Sequence, residues 1–265
     1  MRTLIFLLLL SISTAANAGI QTKEIEYAAG GASLKGYLAF DDSIATKRPG
    51  ILVVHEWWGH NEYARRRARM LAKLGYTALA VDMYGDGKLA EHPKEAGEFM
   101  RAAFKNFEAT KAKFAEAMKI LQAHATVDPG RIAAIGYCFG GAVSLRIARG
   151  GANLAGVVGF HSALPLEPPM SKGKVTAPIL VINGAEDPFL APQTVAQFVQ
   201  QMVEANADFT YMSLPGVRHS YTNPRADQLN KKFNIPGLKY DKQADRRSWQ
   251  AMQQFFNRIF ATSEK

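Results

Sequence analysis

The stretch IAAIGYCFGG, residues 132–141, decides how this chain folds. Ile132-Ala133-Ala134-Ile135 is a short apolar run of the kind found in strands buried on both faces. It runs into G-x-C-x-G-G, where the strand must give way to a helix. A tight strand-to-helix turn forces its central residue into a strained backbone conformation with the side chain above the sheet. Glycines two before and two after it leave the room that a Cβ would fill. A helix starting at Phe139 aims its free N–H groups and its dipole at Cys138, which favours a thiolate and any oxyanion formed beside it. Cys138 is the only cysteine among 265 residues. No intramolecular disulfide can form, and the neighbours of Cys138 decide between a small core residue and a nucleophile.

Outward from this stretch the chain alternates strand and helix. Residues 23–28 and 33–39, around Gly30-Gly31, predict an antiparallel hairpin, since Ser33 to Leu38 alternates at period two. Buried strands are expected at Ile51–Val54, Thr77–Val81, Ile132–Ile135, Gly156–Gly159 and Ile179–Ile182, with a last one at Asp208–Leu214. Phe107, Phe114, Met118 and Leu121 recur on one helix face, as do Trp249, Met252, Phe256 and Ile259. Both stripes read as core. The expected fold is an α/β sandwich with a mostly parallel central sheet, an N-terminal antiparallel hairpin and helices on both faces. Residues 220–240 show neither period and exceed ordinary loop lengths, so they are expected to wall or cover a pocket.

In such sheets chemistry gathers at the carboxyl ends of the strands. Four ends are loaded: His55-Glu56-Trp57-Trp58-Gly59, the Cys138 turn, Asn183-Gly184-Ala185-Glu186-Asp187-Pro188, and Pro215-Gly216-Val217-Arg218-His219-Ser220. A thiol nucleophile needs a base oriented by an acid, and Cys138, Asp187 and His219 follow one another in the nucleophile–acid–histidine order. His161 is a weaker rival as base, and His60, His92 and His124 read as surface or helix residues. Asp82 comes too early for the acid, and Glu186 should point away from its neighbour. No histidine or cysteine pair has metal-ligand spacing, and GYCFGG lacks the G-x-G-x-x-G order of a dinucleotide site. Neither metal nor other cofactor is expected.

The N-terminus suggests export. Leu4–Ile12 is apolar behind Arg2, too short to span a bilayer, and Ala16-Asn17-Ala18 fits a signal-peptidase site. Residues 1–18 are expected to be a cleaved signal peptide, making the protein periplasmic or otherwise secreted, and residues 19–265 a single domain. That domain has no membrane attachment and is expected to be monomeric. The net charge of +9 is mostly dispersed. Arg65, Arg66 and Arg67 read as a solvated helix face, with too little aromatic interleaving for nucleic acid. Residues 231–247 carry six Lys/Arg against Asp241 and Asp245, a weak candidate for steering anions.

VVHEWWGHN, GYCFGG, NGAEDP, GVRHSYTNP and ADRRSWQAM together resemble the dienelactone hydrolase family of α/β-hydrolases, from about Ile25 to Ile259. The resemblance implies Cys138 as nucleophile, Asp187 as acid and His219 as base, with the backbone N–H groups of Trp57 and Phe139 forming an oxyanion hole. Glu56 matches a glutamate that holds the thiol neutral until substrate arrives. Family members that cleave dienelactones clamp a substrate carboxylate with two arginines, and Asp86 and Asn223 stand at those positions here. The expectation is a secreted cysteine-nucleophile enzyme cleaving an ester, thioester or lactone, with Trp58, Tyr84, Asp86, Ser220, Tyr221 and Asn223 around a neutral small-molecule substrate. A non-catalytic binding protein on the same fold would show a broken triad, and a thiol redox protein would need a second cysteine.

Overall fold

A computed structural model describes residues 19–167 and 171–261. The expected signal segment, residues 1–18, lies outside the described residues. The strands are β1 (Ile20–Ala29), β2 (Ala32–Asp41), β3 (Arg48–Val54), β4 (Thr77–Val81), β5 (Val127–Tyr137), β6 (Gly156–Phe160), β7 (Ile179–Gly184) and β8 (Phe209–Leu214). The helices are α1 (Glu62–Ala72), α2 (Pro93–Lys105), α3 (Phe107–Ala123), α4 (Phe139–Arg149), α5 (Pro192–Glu204), α6 (Ala226–Phe233) and α7 (Lys242–Ala261).

All eight strands form one sheet in the order β1-β2-β4-β3-β5-β6-β7-β8. β1 and β2 pair antiparallel through a two-residue turn, with Gly30 and Gly31 both at positive φ, as a tight hairpin of this twist requires. β2 meets β4 antiparallel, and the six strands from β4 to β8 run parallel. This is the α/β-hydrolase architecture expected from the sequence.

Alternation along the buried strands divides the core in two. Ile51 and Val53 face α1 and α7, where Leu71, Met252, Phe256 and Ile259 pack. Leu52 and Val54 face the other way, with Phe114 and Leu121 of α3, Val143 of α4 and Phe198 of α5. Both predicted helix stripes therefore enter the core. The chain moves from β3 to β4 on one side and returns to β5 on the other, so a crevice opens above the carboxyl ends of β3 and β5. His55-Glu56-Trp57 and Cys138 leave the sheet there.

One expectation fails. Residues 220–240 are not structureless, because α6 spans Ala226–Phe233. Eight residues are too few for periodicity to emerge, and Arg225 provides no side-chain cap. The helix is held from outside, by Phe233 stacked on Trp58 at 5.9 Å and edge-on to His92 at 5.3 Å.

Candidate active site

Cys138 sits at the N-cap of α4 with φ 53° and ψ −115°, a left-handed region that costs a side-chain-bearing residue about 1–3 kcal/mol. Close packing enforces it. A Cβ on Gly136 would lie 2.2 Å from the carbonyl oxygen of Gly140, and one on Gly140 would lie 2.3 Å from that of Val54. Gly141 has the same role toward Ser162, whose Cβ would be 2.3 Å away. The thiol is half-buried at the mouth of the turn.

The β8 end brings His219 over it. His219 Nδ1 is 2.6 Å from Asp187 Oδ2, and both side chains are buried. Burial pulls the imidazole pKa down, but the negative charge that Cys138 carries once it has given up its proton, and the hydrogen bonds to Asp187 and Cys138, outweigh it, raising the value to about 10. Asp187 in turn accepts from the Phe189 N–H at 2.9 Å through Oδ1, which fixes the carboxylate. The turn carrying His219 is strained as well, with Ser220 at φ 54°. The three residues picked from chain order thus converge.

Glu56 is fully buried behind them. Its Oε1 accepts from Ser220 Oγ at 2.9 Å and its Oε2 from Asn223 Nδ2 at 2.6 Å. Burial raises its pKa, and the two hydrogen bonds only partly oppose that. His161 lies edge-on to His219, ring centres 5.1 Å apart, with Nε2 4.0 Å from Glu56 Oε1 and 2.6 Å from Thr222 Oγ1. Burial and its charged neighbours hold its pKa well below the usual histidine value. Unlike His219, His161 has no carboxylate at hydrogen-bond distance.

Above Cys138 is a cavity of about 220 Å³. Trp57, Phe139, Met100, Phe104, Leu190, Ile235 and other apolar residues form its wall, beside Cys138, Asp187 and His219. None of the six side chains expected around the substrate lines it. Trp58 and Asn223 line a separate cavity of about 580 Å³ on the far side of the Trp57–Trp58 pair. Tyr84 donates to the Trp57 carbonyl at 3.0 Å, backing the wall from outside. Ser220 and Asn223 hold Glu56, and Tyr221 donates to the Ile182 carbonyl at 3.0 Å. Asp86 is exposed and paired with Lys88 at 3.1 Å. Tyr84, Ser220, Tyr221 and Asn223 thus brace the residues around this cavity, while Trp58 lines the second cavity and Asp86 faces solvent. The wall comes instead from α2 and from the segments after Asp187 and α6, whose apolar residues carry no signature beyond hydrophobicity.

The remaining titratable residues sort by contact. His55 Nδ1 donates to the Glu56 carbonyl and its Nε2 accepts from the Met83 N–H, so it is structural. Asp82 accepts N–H groups from Tyr84, Gly85, Gly87 and Lys35, shaping the loop after β4. Glu186 is exposed, as expected. His60 is not a surface residue but buried, and that burial lowers its pKa to about 3. Arg67 does not share a solvated face with Arg65 and Arg66: it is 2% exposed. Its place among Tyr63, Ala64, Ala68 and Leu71 on the inward period of α1 was the available signal. Among the described residues no cluster of His, Cys, Asp and Glu could hold a metal ion, and no helix is long and apolar enough to cross a membrane.

The sequence profile of the Dienelactone hydrolase family matches residues 34–260. The chain belongs to that family. Membership makes it a carboxylic ester or lactone hydrolase. A putative carboxymethylenebutenolidase of Aquifex aeolicus is 22% identical over 236 residues, covering 88% of this chain and 96% of its own. A probable 2-oxo-3-(5-oxofuran-2-ylidene)propanoate lactonase of Bradyrhizobium is 28% identical over 213 residues, 74% of this chain and 82% of its own. Among solved structures, one named m3DLH superposes with a TM-score of 0.86 at 36% identity, covering 91% of this chain and 99% of its own. A dienelactone hydrolase-like promiscuous phosphotriesterase from metagenomic libraries gives 0.85 at 33% identity with the same coverage.

Proposed function

We propose that this family member is an exported cysteine hydrolase that cleaves uncharged esters, thioesters or lactones with an apolar acyl group through an acyl-enzyme. The observation that carries the reading is the buried 2.6 Å contact between His219 and Asp187, beside Cys138 at the floor of an apolar cavity. Cys138 attacks the carbonyl carbon while His219 takes the thiol proton. The tetrahedral oxyanion falls to the backbone N–H groups of Trp57 and Phe139, and loss of one such donor costs about 3 kcal/mol of barrier. His219 returns the proton to the leaving alcohol or thiol. Water, deprotonated by His219, then attacks the thioester carbonyl and releases the acid. Glu56 sets the resting ionisation of this cluster, by analogy with the family glutamate.

The preference for neutral substrates rests on the cavity wall. His219 is the single basic side chain among its lining residues, and Asp187 already engages it. A substrate carboxylate would lose its hydration there without a bidentate partner. Matched neutral and anionic aryl esters, assayed at low and high salt on wild type and Cys138→Ala, test the reading. A higher kcat/KM for the neutral ester is expected, with no turnover by Cys138→Ala. Turnover by that variant would remove the nucleophile, and a preference for the anionic ester would remove the substrate class. Iodoacetamide alkylation should speed up in Glu56→Gln if Glu56 restrains the thiol; an unchanged rate would remove that role. Export has its own test, since protein recovered from the host should begin at Gly19 by intact mass. A product that retains Leu4–Ile12 would refute it.

A further inference from the structure

The fully buried Arg67 has no place in the chemistry described so far. Its guanidinium lies over three rings, 5.2 Å from the centres of Tyr63 and Trp249 and 5.4 Å from that of Tyr137. Nη2 donates to Asp245 Oδ1 at 2.6 Å and to the Thr222 carbonyl at 2.8 Å. Thr222 is the hub of the turn after the catalytic histidine. Ser220 and Asn223 on either side of it hold Glu56, and its own Oγ1 is 2.5 Å from Tyr63 Oη and 2.6 Å from His161 Nε2. Burying a guanidinium is expensive unless it is paired and hydrogen-bonded, and replacing such a pair by apolar packing is often neutral for stability. A buried arginine whose second donor goes to one carbonyl of a strained turn is therefore spent on geometry.

We propose that Arg67 is a positioning residue for hydrolysis, fixing the His219–Asn223 turn through the Thr222 carbonyl and so setting His219 and Glu56 against the nucleophile. Ser220 at φ 54° stores strain that persists only where the surroundings over-determine it. α1 and α7 supply that constraint jointly, since Arg67 comes from one and Asp245 and Trp249 from the other. The ionisable groups facing the guanidinium are Tyr63 on its own helix, Tyr137 on β5, Asp245 on α7 and Tyr221 on the turn itself. Tyr240 approaches Asp245 Oδ2 at 3.5 Å, and Glu56 and His161 lie beyond Thr222.

The inference rests on His219 acting as base, and His219→Ala tests that separately: activity surviving in that variant sinks the triad, whatever Arg67 does. The experiment compares Arg67→Lys, Arg67→Met, Asp245→Asn and the α7 core variant Phe256→Leu on a neutral aryl ester. Melting temperature, kcat, KM and the pH profile of kcat/KM are recorded for each. Lysine keeps the charge but not the planar guanidinium, which lies among the Tyr63, Tyr137 and Trp249 rings and so fixes Nη2 between Asp245 and the Thr222 carbonyl. Arg67→Lys should lose at least about 30-fold in kcat with KM nearly unchanged and the acid limb unmoved. Arg67→Met should also move that limb upward, by roughly half a pH unit, because a cation near Glu56 and the histidines is gone. Asp245→Asn, the mildest change, should lose less kcat than either Arg67 variant yet fall below wild type, and decides alone if neither Arg67 variant folds. Phe256→Leu, matched in melting temperature, should keep its kcat. Wild-type kcat in the folded Arg67 or Asp245 variants overturns the proposal. An equal loss in Phe256→Leu also overturns it, since the effect would then be stability alone.

Discussion

The two sides of the proposed catalytic pair are built in opposite ways. Cys138 stands between a regular strand and a regular helix, and its conformation is enforced by close packing at three glycines within three residues of it: Gly136 against the Gly140 carbonyl, Gly140 against the Val54 and His55 carbonyls, and Gly141 against Ser162. His219 lies on a turn between β8 and α6 whose supports come from α1, α7, β7 and the end of β3, through Arg67, Asp245, the Ile182 carbonyl and Glu56. Cys138 is placed by sterics and His219 by a set of distant hydrogen bonds. Sterics of this kind is all-or-none, because a Cβ 2.3 Å from a carbonyl oxygen has nowhere to go. Hydrogen bonds from four elements should fail by degrees.

Four substitutions probe that contrast, beginning with the largest effect. Asp187→Asn should lower kcat by about 10⁴-fold while the protein stays folded, because the amide stabilises the wrong imidazole tautomer. Retained activity would mean that the 2.6 Å contact does not orient the base. Gly140→Ala should cost upwards of about 4 kcal/mol in urea denaturation or give no folded protein, since the new methyl would meet the Val54 and His55 carbonyls. A folded, active Gly140→Ala would break the claim that the elbow is set by sterics.

Glu56→Gln should show the milder behaviour. Burial raises the Glu56 pKa, so the folded state favours the protonated acid. Its stabilising contribution is complete below the ordinary carboxyl value of 4.5 and is lost as pH rises through the folded value. Glutamine does not ionise, so the Tm gain of Glu56→Gln over wild type should be larger at about pH 8 than at about pH 5, by roughly 2–4 °C. A gap that is flat or shrinks with pH would show that Glu56 ionises freely in the fold. Tyr221→Phe should be the smallest, about 1 kcal/mol in the same denaturation, for one buried hydrogen bond to Ile182. A loss as large as that of Gly140→Ala would erase the distinction between the two sides.

The same contrast separates what could be read from the sequence from what could not. The elbow was legible because its causes are local: an apolar run, glycines at fixed offsets, a helix start. The convergence of Cys138, Asp187 and His219 followed because strand order places loop ends without knowledge of side chains. The wall of the cavity was legible only in part: residues 220–240, expected to wall a pocket, supply Ile235 and Leu238, but Met100, Phe104 and Leu190 join them only through packing. Arg67 was misread for a related reason: as one of three consecutive arginines it looks solvated, and its ring partners Tyr137 and Trp249 are remote in the chain. The ADRRSWQAM motif, which carried part of the family resemblance, contains Asp245 and Trp249, yet nothing in it names the partner on α1. α6 escaped because its anchors, Trp58 and His92, are also far away.

His219 is tied to the segment after α6 by its own backbone, donating to the Gly237 carbonyl and accepting from the Lys239 N–H, both at 3.1 Å. Leu238, between those two residues, and Ile235 form part of the cavity wall. Met100 and Phe104, on the opposite wall, belong to α2 and share no hydrogen bond with the triad among the described residues. The two walls therefore differ in how freely they can diverge. Changes at Ile235 or Leu238 alter substrate fit and base placement together, whereas α2 can be rewritten without touching the proton chemistry. Descendants of this enzyme that acquire new acyl preferences should carry their substitutions on α2.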